Sequence, residues 1–296
     1  MSTPFFHAQA TKSFRRKSIK CLKDEQGGLI QDYFRGIFTS IILTPSVKDE
    51  CLTCLMPMVS VDANAALLHH YTADEVRQAL NQMHPLKSPG LHDMSPGFFQ
   101  KFWSIVDCDT TSCVLYFLNE GSLDPRLNAT NITLLPKCVN PKIISLCNVV
   151  YKITSKAIVN SLKPLLSDII SLAQSVFVSG RLITDNVPVA HEINHFLANK
   201  YWGKTGDVSF KLDISKAYDW LKWSFLKRVL SRLGFHEKVV CWIMTCVSTV
   251  SYSFLLNGVQ FGSLHSGWGS AKGTPLSLFI FILCRGLSNM IREEEL

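Results

Sequence analysis

Residues 208–213 alternate without a break: Val208, Phe210 and Leu212 are apolar, while Ser209, Lys211 and Asp213 are polar. A period of two specifies a strand with one face buried and one face polar. Such a strand needs pairing partners and an apolar layer beneath it, so the chain is expected to build a sheet. Asp213 falls at the strand's end, on the polar face beside Lys211. Two further β signals accompany it. Residues 252–256 and 259–264 flank Asn257-Gly258, a pair that favours the two-residue hairpin turn. Residues 131–135 read as a strand ending at Pro136.

Helices fill much of the remainder. Thr72-Ala73-Asp74-Glu75 has the form of a capping box, and the helix it opens is expected to run to about Met83, with Val76, Leu80 and Met83 inward. Residues 84–97 read as loop, because Pro85, Pro89, Gly90, Pro96 and Gly97 interrupt regular structure. Helices are expected over 29–39, 98–106, 112–118 and 151–170, the last broken near Pro164. Others are expected over 185–200, with Pro188 in the first turn, over 223–233 and 238–246, and from Pro275 to about Arg292. Strands and helices do not alternate regularly, which predicts an α+β fold.

Composition narrows the function classes. With 47% hydrophobic residues in a 296-residue chain, a packed core is expected and disorder is not. Thirty Lys and Arg against 23 Asp and Glu leave a formal charge of +7, which suits a polyanionic partner. The longest apolar run, 276–284, is far short of the roughly 20 residues of a membrane span. The polar, basic opening is unlike a secretory signal. The ten cysteines follow no disulfide framework, so free thiols and a reducing compartment are expected. Cys51 and Cys54 form a CxxC pair, but the adjacent His69 and His70 lack the spacing that would complete a zinc finger.

A carboxylate at a strand end, such as Asp213, suits a magnesium ion, which takes oxygen ligands and keeps several waters. Alone, it reads more readily as an ordinary turn aspartate, because strand-end aspartates are common in turns.

Its surroundings carry more. The stretch Phe210-Lys211-Leu212-Asp213-Ile214-Ser215-Lys216-Ala217-Tyr218-Asp219 closely resembles the first palm motif of reverse transcriptases of the LINE, or non-LTR, type. Leu86-Lys87-Ser88-Pro89-Gly90 through Phe98-Phe99-Gln100-Lys101-Phe102-Trp103 resembles the early fingers motif of that family. Ile144-Ser145-Leu146-Cys147-Asn148-Val149-Val150-Tyr151-Lys152 is similar to a second fingers motif, and 174–181 with Asp185-Asn186 to a third. Gly273-Thr274-Pro275-Leu276-Ser277 resembles the second palm motif. Phe5-Phe6-His7-Ala8 and the basic run after it are similar to the linker that precedes the polymerase in plant elements of this kind.

The resemblance implies an incomplete right-hand polymerase: a basic arm over 1–28, fingers and the start of the palm over 29–200, and partial palm over 201–296, without a thumb. It implies RNA template, DNA primer and deoxynucleoside triphosphate as partners, no membrane, and a nuclear or cytoplasmic site of action. It also implies Mg2+, held by Asp213 and the backbone carbonyl of Ile214, with Tyr218 beneath the incoming sugar to exclude a 2′-hydroxyl. Lys142, Arg181, Lys211, Lys272, Gly273 and Pro275 become nucleotide- or template-binding positions; Lys142 and Arg181 also read as plain surface charges.

The chain departs from the family where chemistry is most demanding. The family carries an aromatic-x-Asp-Asp hairpin after the second palm motif, and these 296 residues contain no Asp-Asp dipeptide. After Asp219 the acids are Glu237, Glu293, Glu294 and Glu295. Lys272 stands where the family has a glutamine, Thr274 where it has aspartate and Leu278 where it has proline. A truncated polymerase without activity is therefore expected. The alternatives are a non-catalytic nucleic-acid-binding remnant and a pseudogene product without function.

Overall fold

The computed structural model describes residues 52, 55–135, 142–170, 180–200, 222–256 and 258–265. Its helices are α1 (Val61–Leu67), α2 (Ala73–Asn81), α3 (Pro96–Lys101), α4 (Trp103–Leu115), α5 (Val149–Leu162), α6 (Leu166–Ile169), α7 (Asn186–Asn199), α8 (Trp223–Arg232) and α9 (Glu237–Ser248). Its strands are β1 (Ala129–Leu135), β2 (Lys142–Cys147), β3 (Ser251–Leu256) and β4 (Val259–His265). They form one mixed sheet in the order β2-β1-β3-β4. Each outer pair is antiparallel, and the central pair β1–β3 is parallel, with Ala129 opposite Ser251 and Thr133 opposite Leu255. The sheet thus draws on both sides of residue 200. Among the described residues no helix is long and apolar enough to cross a membrane.

Local chemistry explains most element ends. Thr72 accepts a hydrogen bond from the Glu75 amide while the Glu75 side chain accepts from the Thr72 amide, so two orphan donors of α2 are satisfied reciprocally. Val76 and Leu80 are fully buried and Met83 nearly so, the inward stripe the spacing predicts. At the other end of α2, Gln100 Nε2 donates to the carbonyls of Leu80 and Met83 at 3.0 and 2.9 Å, which ties α3 to α2. The helix over 149–162 passes into a 3-10 turn, Lys163–Leu165, at Pro164, as the proline requires. Gly258 has φ +84, the left-handed conformation that the β3–β4 turn demands.

Three expectations are corrected. The loop over 84–97 ends earlier, because Pro96 at the first position opens α3. The separate helices expected over 98–106 and 112–118 divide differently: α3 stops at Lys101, α4 runs unbroken from Trp103 to Leu115, and a π turn, Tyr116–Glu120, follows. The apolar residues of α4 do not line one side, and only Thr110 and Val114 are buried, so periodicity could not delimit it. Residues 142–147 are a strand, which the motif over 144–152 does not announce. The expected helices over 29–39 and from Pro275, and the strand over 208–212, lie outside the described residues.

Side chains of two segments join the sheet to the helices. Asn128, 1% exposed, donates from Nδ2 to the Cys246 carbonyl and to Thr249 Oγ1, both at 2.9 Å. Tyr151 donates its hydroxyl to the same carbonyl at 3.0 Å. The start of β1, α5 and the end of α9 thereby meet at one point. Asn128→Ala is expected to lower stability by about 2 kcal/mol, the cost of buried groups left short of partners. Urea unfolding measures it, and a change within experimental error would remove Asn128 as a tie.

A second junction is charged. Both ring nitrogens of His69 face acceptors: Nδ1 lies 2.7 Å from the Ala66 carbonyl and Nε2 2.8 Å from the Glu75 carboxylate. Only the imidazolium donates to both. The Glu75 hydrogen bond raises the His69 pKa above 6.5 against the opposing effect of burial. Burial pushes Glu75 up, but hydrogen bonds from His69 and Thr72 outweigh it and hold the carboxyl below its ordinary value. A raised histidine contributes stability that is whole below its unfolded pKa of 6.5 and disappears as pH climbs through the folded value. The melting-temperature gap between the parent chain and His69→Ala is therefore expected to be larger at about pH 5.5 than at about pH 9. A gap that widens with pH would contradict the assignment.

Candidate nucleic-acid interface

Two of the sequence motifs are brought into contact through Ser88 and Lys152, which are 64 positions apart. The loop 84–95 lies against the junction where β2 ends and α5 begins. There Asn148 caps α5, its Oδ1 accepting from the Val150 amide at 3.0 Å. Lys152, one turn into α5 and 2% exposed, donates from Nζ to the Ser88 carbonyl at 2.7 Å. Burial lowers its pKa, and the nearby Lys87 lowers it further. Gly90 sits directly on the junction. A Cβ there would fall 2.6 Å from the Asn148 nitrogen and 2.7 Å from the Cys147 carbonyl carbon, so the close approach admits only glycine.

The clamped loop holds the segment that bears Lys87 against the start of α5, which continues to Lys156 and passes into the 3-10 turn at Lys163. Lys156 and Lys163 are seven residues apart, nearly two turns, and so share one side of the helix. Burial lowers the Lys156 pKa, and the ammonium groups of Lys163 and Lys87 lower it further. Among the described residues no carboxylate pairs with Lys87, Lys156 or Lys163. The sequence reading missed Lys156 and Lys163 as functional candidates. Their spacing after Lys152 was the available signal, but an i, i+4, i+11 lysine stripe is common on solvated helices.

The residues singled out from sequence fare unevenly. Lys142 is the first residue of β2 and pairs with Leu135. Arg181 donates from Nη2 to the Ser167 carbonyl at 3.3 Å, close beyond the α5 end of the lysine stripe. Asp213, Ile214, Tyr218, Lys211, Lys272, Gly273 and Pro275 lie outside the described residues. So do Cys51 and Cys54. Cys108, Cys113, Cys147, Cys241 and Cys246 are free thiols. Burial pushes the Cys147 and Cys246 thiols up, which makes them packing residues rather than nucleophiles. Among the described residues no three His, Cys, Asp or Glu side chains gather as metal ligands. A cavity of about 330 Å³ between α1, α2 and α5 is lined by His69, Glu75, Gln78 and Asn160, away from the motif junction.

The profile of the family described as reverse transcriptase (RNA-dependent DNA polymerase) matches residues 135–293, more than half of the chain. The chain is also 31% identical, over 317 aligned positions, to the transposon TX1 uncharacterized 149 kDa protein of Xenopus laevis. That alignment covers 98% of this chain and 24% of the relative, so the chain spans about a quarter of that protein's length. The aligned stretch outruns the 296 residues present, so the relative carries residues that this chain lacks. On the strength of the family match, the chain belongs to the reverse transcriptase family.

Proposed function

We propose that the chain is the strand-holding part of an RNA-directed DNA polymerase encoded by a non-LTR, LINE-type transposable element of the plant kind, and that residues 1–296 alone do not polymerise. The observation that carries the reading is the junction of the two fingers motifs, where Lys152 and Gly90 hold the 86–90 loop against Asn148 within a chain of this family. In this reading residues 1–28 are a basic arm, 29–200 the fingers with the start of the palm, and 201–296 partial palm. The named transposon relative supports the element assignment.

The partners are an RNA template, a DNA primer and deoxynucleoside triphosphates. Lys142, Arg181, Lys211, Lys272, Gly273 and Pro275 are assigned to nucleotide or template contact, and Tyr218 to the sugar. The family uses divalent metal ions. Two of them, when bound, would activate the primer 3′-hydroxyl and stabilise the leaving oxygen. Asp213 and the Ile214 carbonyl fit one part of such a site by chemistry. The donor set within these 296 residues does not complete it, because no Asp-Asp pair follows.

Retention of a recessed DNA primer on an RNA template tests the reading directly. The chain is expected to retain the hybrid without magnesium, and retention is expected to weaken steeply with salt. Failure to retain it at low salt would sink the proposal.

A further inference from the structure

We propose that the cavity of about 330 Å³ between α1, α2 and α5 binds a small uncharged heterocycle with an amide-type edge, an N–H beside an acceptor, as purine and pyrimidine bases carry, and that Asn160 reads that edge. The volume falls at the lower end of the range of ligand pockets, about 300–1,000 Å³. Asn160 of α5 lines the cavity, and its Oδ1 is buried and accepts no hydrogen bond from the described residues. A buried acceptor without a donor is unfavourable, and a ligand that supplies the donor relieves it. Other polar groups of the wall engage one another. His69 lies against the Ala66 carbonyl and Glu75, Glu75 also accepts from Thr72, and Ser161 Oγ donates to the Ala157 carbonyl at 3.4 Å.

Charge on the walls selects an uncharged ligand. His69 and Glu75 are the charged residues of the lining, and they pair with each other at 2.8 Å. The lining therefore offers no lone cation to a phosphate and no lone carboxylate to an ammonium. Ala63, Ala66, Leu67 and Ala157 add short or apolar walls, which suit the body of a ring. A carboxamide presents an N–H beside a carbonyl oxygen, so it pairs twice with a molecule that carries the complementary edge. Asn and Gln hold adenine in this way. Gln78, exposed on α2, brings a second carboxamide to the lining. The cavity lies away from the contact of Ser88 with Lys152, and the inference does not depend on the function proposed above.

The test is isothermal titration calorimetry of the full chain with adenosine and with uridine, each beside an analogue without the edge N–H: purine riboside for the first, the ring-N-methylated form for the second. At least one of the two nucleosides is expected to bind saturably, about tenfold more tightly than its analogue, the worth of one hydrogen bond. Asn160→Leu is expected to bind nucleoside and analogue alike. Its melting temperature is expected to stay at or above that of the parent, because the variant removes an orphaned acceptor. Ala66→Phe, at an exposed position of the lining, is expected to fill the cavity and abolish binding, and it covers the case in which Asn160→Leu fails to fold. Oligoadenylate added at high salt separates two sources of the same edge. Displacement of adenosine names a base unstacked from a strand, failure to displace it names a free heterocycle, and either supports the cavity. A nucleoside preference that survives Asn160→Leu would overturn the role of Asn160. Binding unchanged in Ala66→Phe, or no saturable binding of either nucleoside to the parent chain, would overturn the site and leave the polymerase reading intact.

Discussion

Residues 1–296, given magnesium, a DNA primer on an RNA template and four deoxynucleoside triphosphates, are expected to extend no primer, and Asp213→Ala is expected to match the parent chain. The reason is charge. A two-ion nucleotidyl transfer holds two divalent cations about 4 Å apart. Their mutual repulsion must be offset by carboxylates. In the function proposed above Asp213 is the first of these carboxylates, and no Asp-Asp pair follows it in this sequence. Removing a single electrostatic stabiliser of a transition state typically costs about 10²–10³ in rate, so the loss of two carboxylates puts extension below detection. The measurement is a gel of labelled primer, with the protein shown folded by its melting transition. Extension by the parent that vanishes in Asp213→Ala would overturn the expectation. It would direct attention to Glu293, Glu294 and Glu295, or to a second chain, as the source of the missing ligands.

Gly90→Ala is expected to destabilise the chain by about 3 kcal/mol, the upper part of the range for overpacking. The added methyl would lie 2.6 Å from the Asn148 nitrogen, 2.7 Å from its Cα and 2.7 Å from the Cys147 carbonyl carbon. All three are backbone atoms of the β2–α5 junction, so no rotamer change relieves the clash. The loop must lift. Lifting it draws the Ser88 carbonyl from Lys152 Nζ, and a buried ammonium loses its acceptor. The urea midpoint is therefore expected to fall. A variant as stable as the parent would show that the loop does not depend on this contact.

Local signals in the sequence were reliable where the physics is local. The capping box at Thr72 and Glu75, the break at Pro164, the start of α7 near Pro188 and the hairpin around Gly258 all depend on residues within a few positions of one another. The family was legible for a different reason. Its motifs are short runs that can be read in order along the chain, and the family match over residues 135–293 bears out the family they suggest. The limits of α4 were not legible, because a helix with apolar residues on several sides has no face for periodicity to find. Strand β2 was read as a motif and not as a strand: the sequence 136–141 carries the turn signal Asn140-Pro141, but no two-residue hairpin pair that would fix the register of β2 on β1.

What the sequence alone determined is therefore the element types with strong local codes, the mixture of helix and sheet, and the family. What only tertiary structure decided is adjacency. The parallel pairing of β1 with β3 joins residues more than 100 positions apart, and nothing in either strand names its partner. The contact between the loop and α5 has the same origin: Ser88 and Lys152 are 64 positions apart, and they meet where Gly90 permits close approach to Asn148. Hydrogen-bonding and steric preferences act over a few residues, whereas burial and charge act through space, so the first can be read along the chain and the second only after the chain has folded.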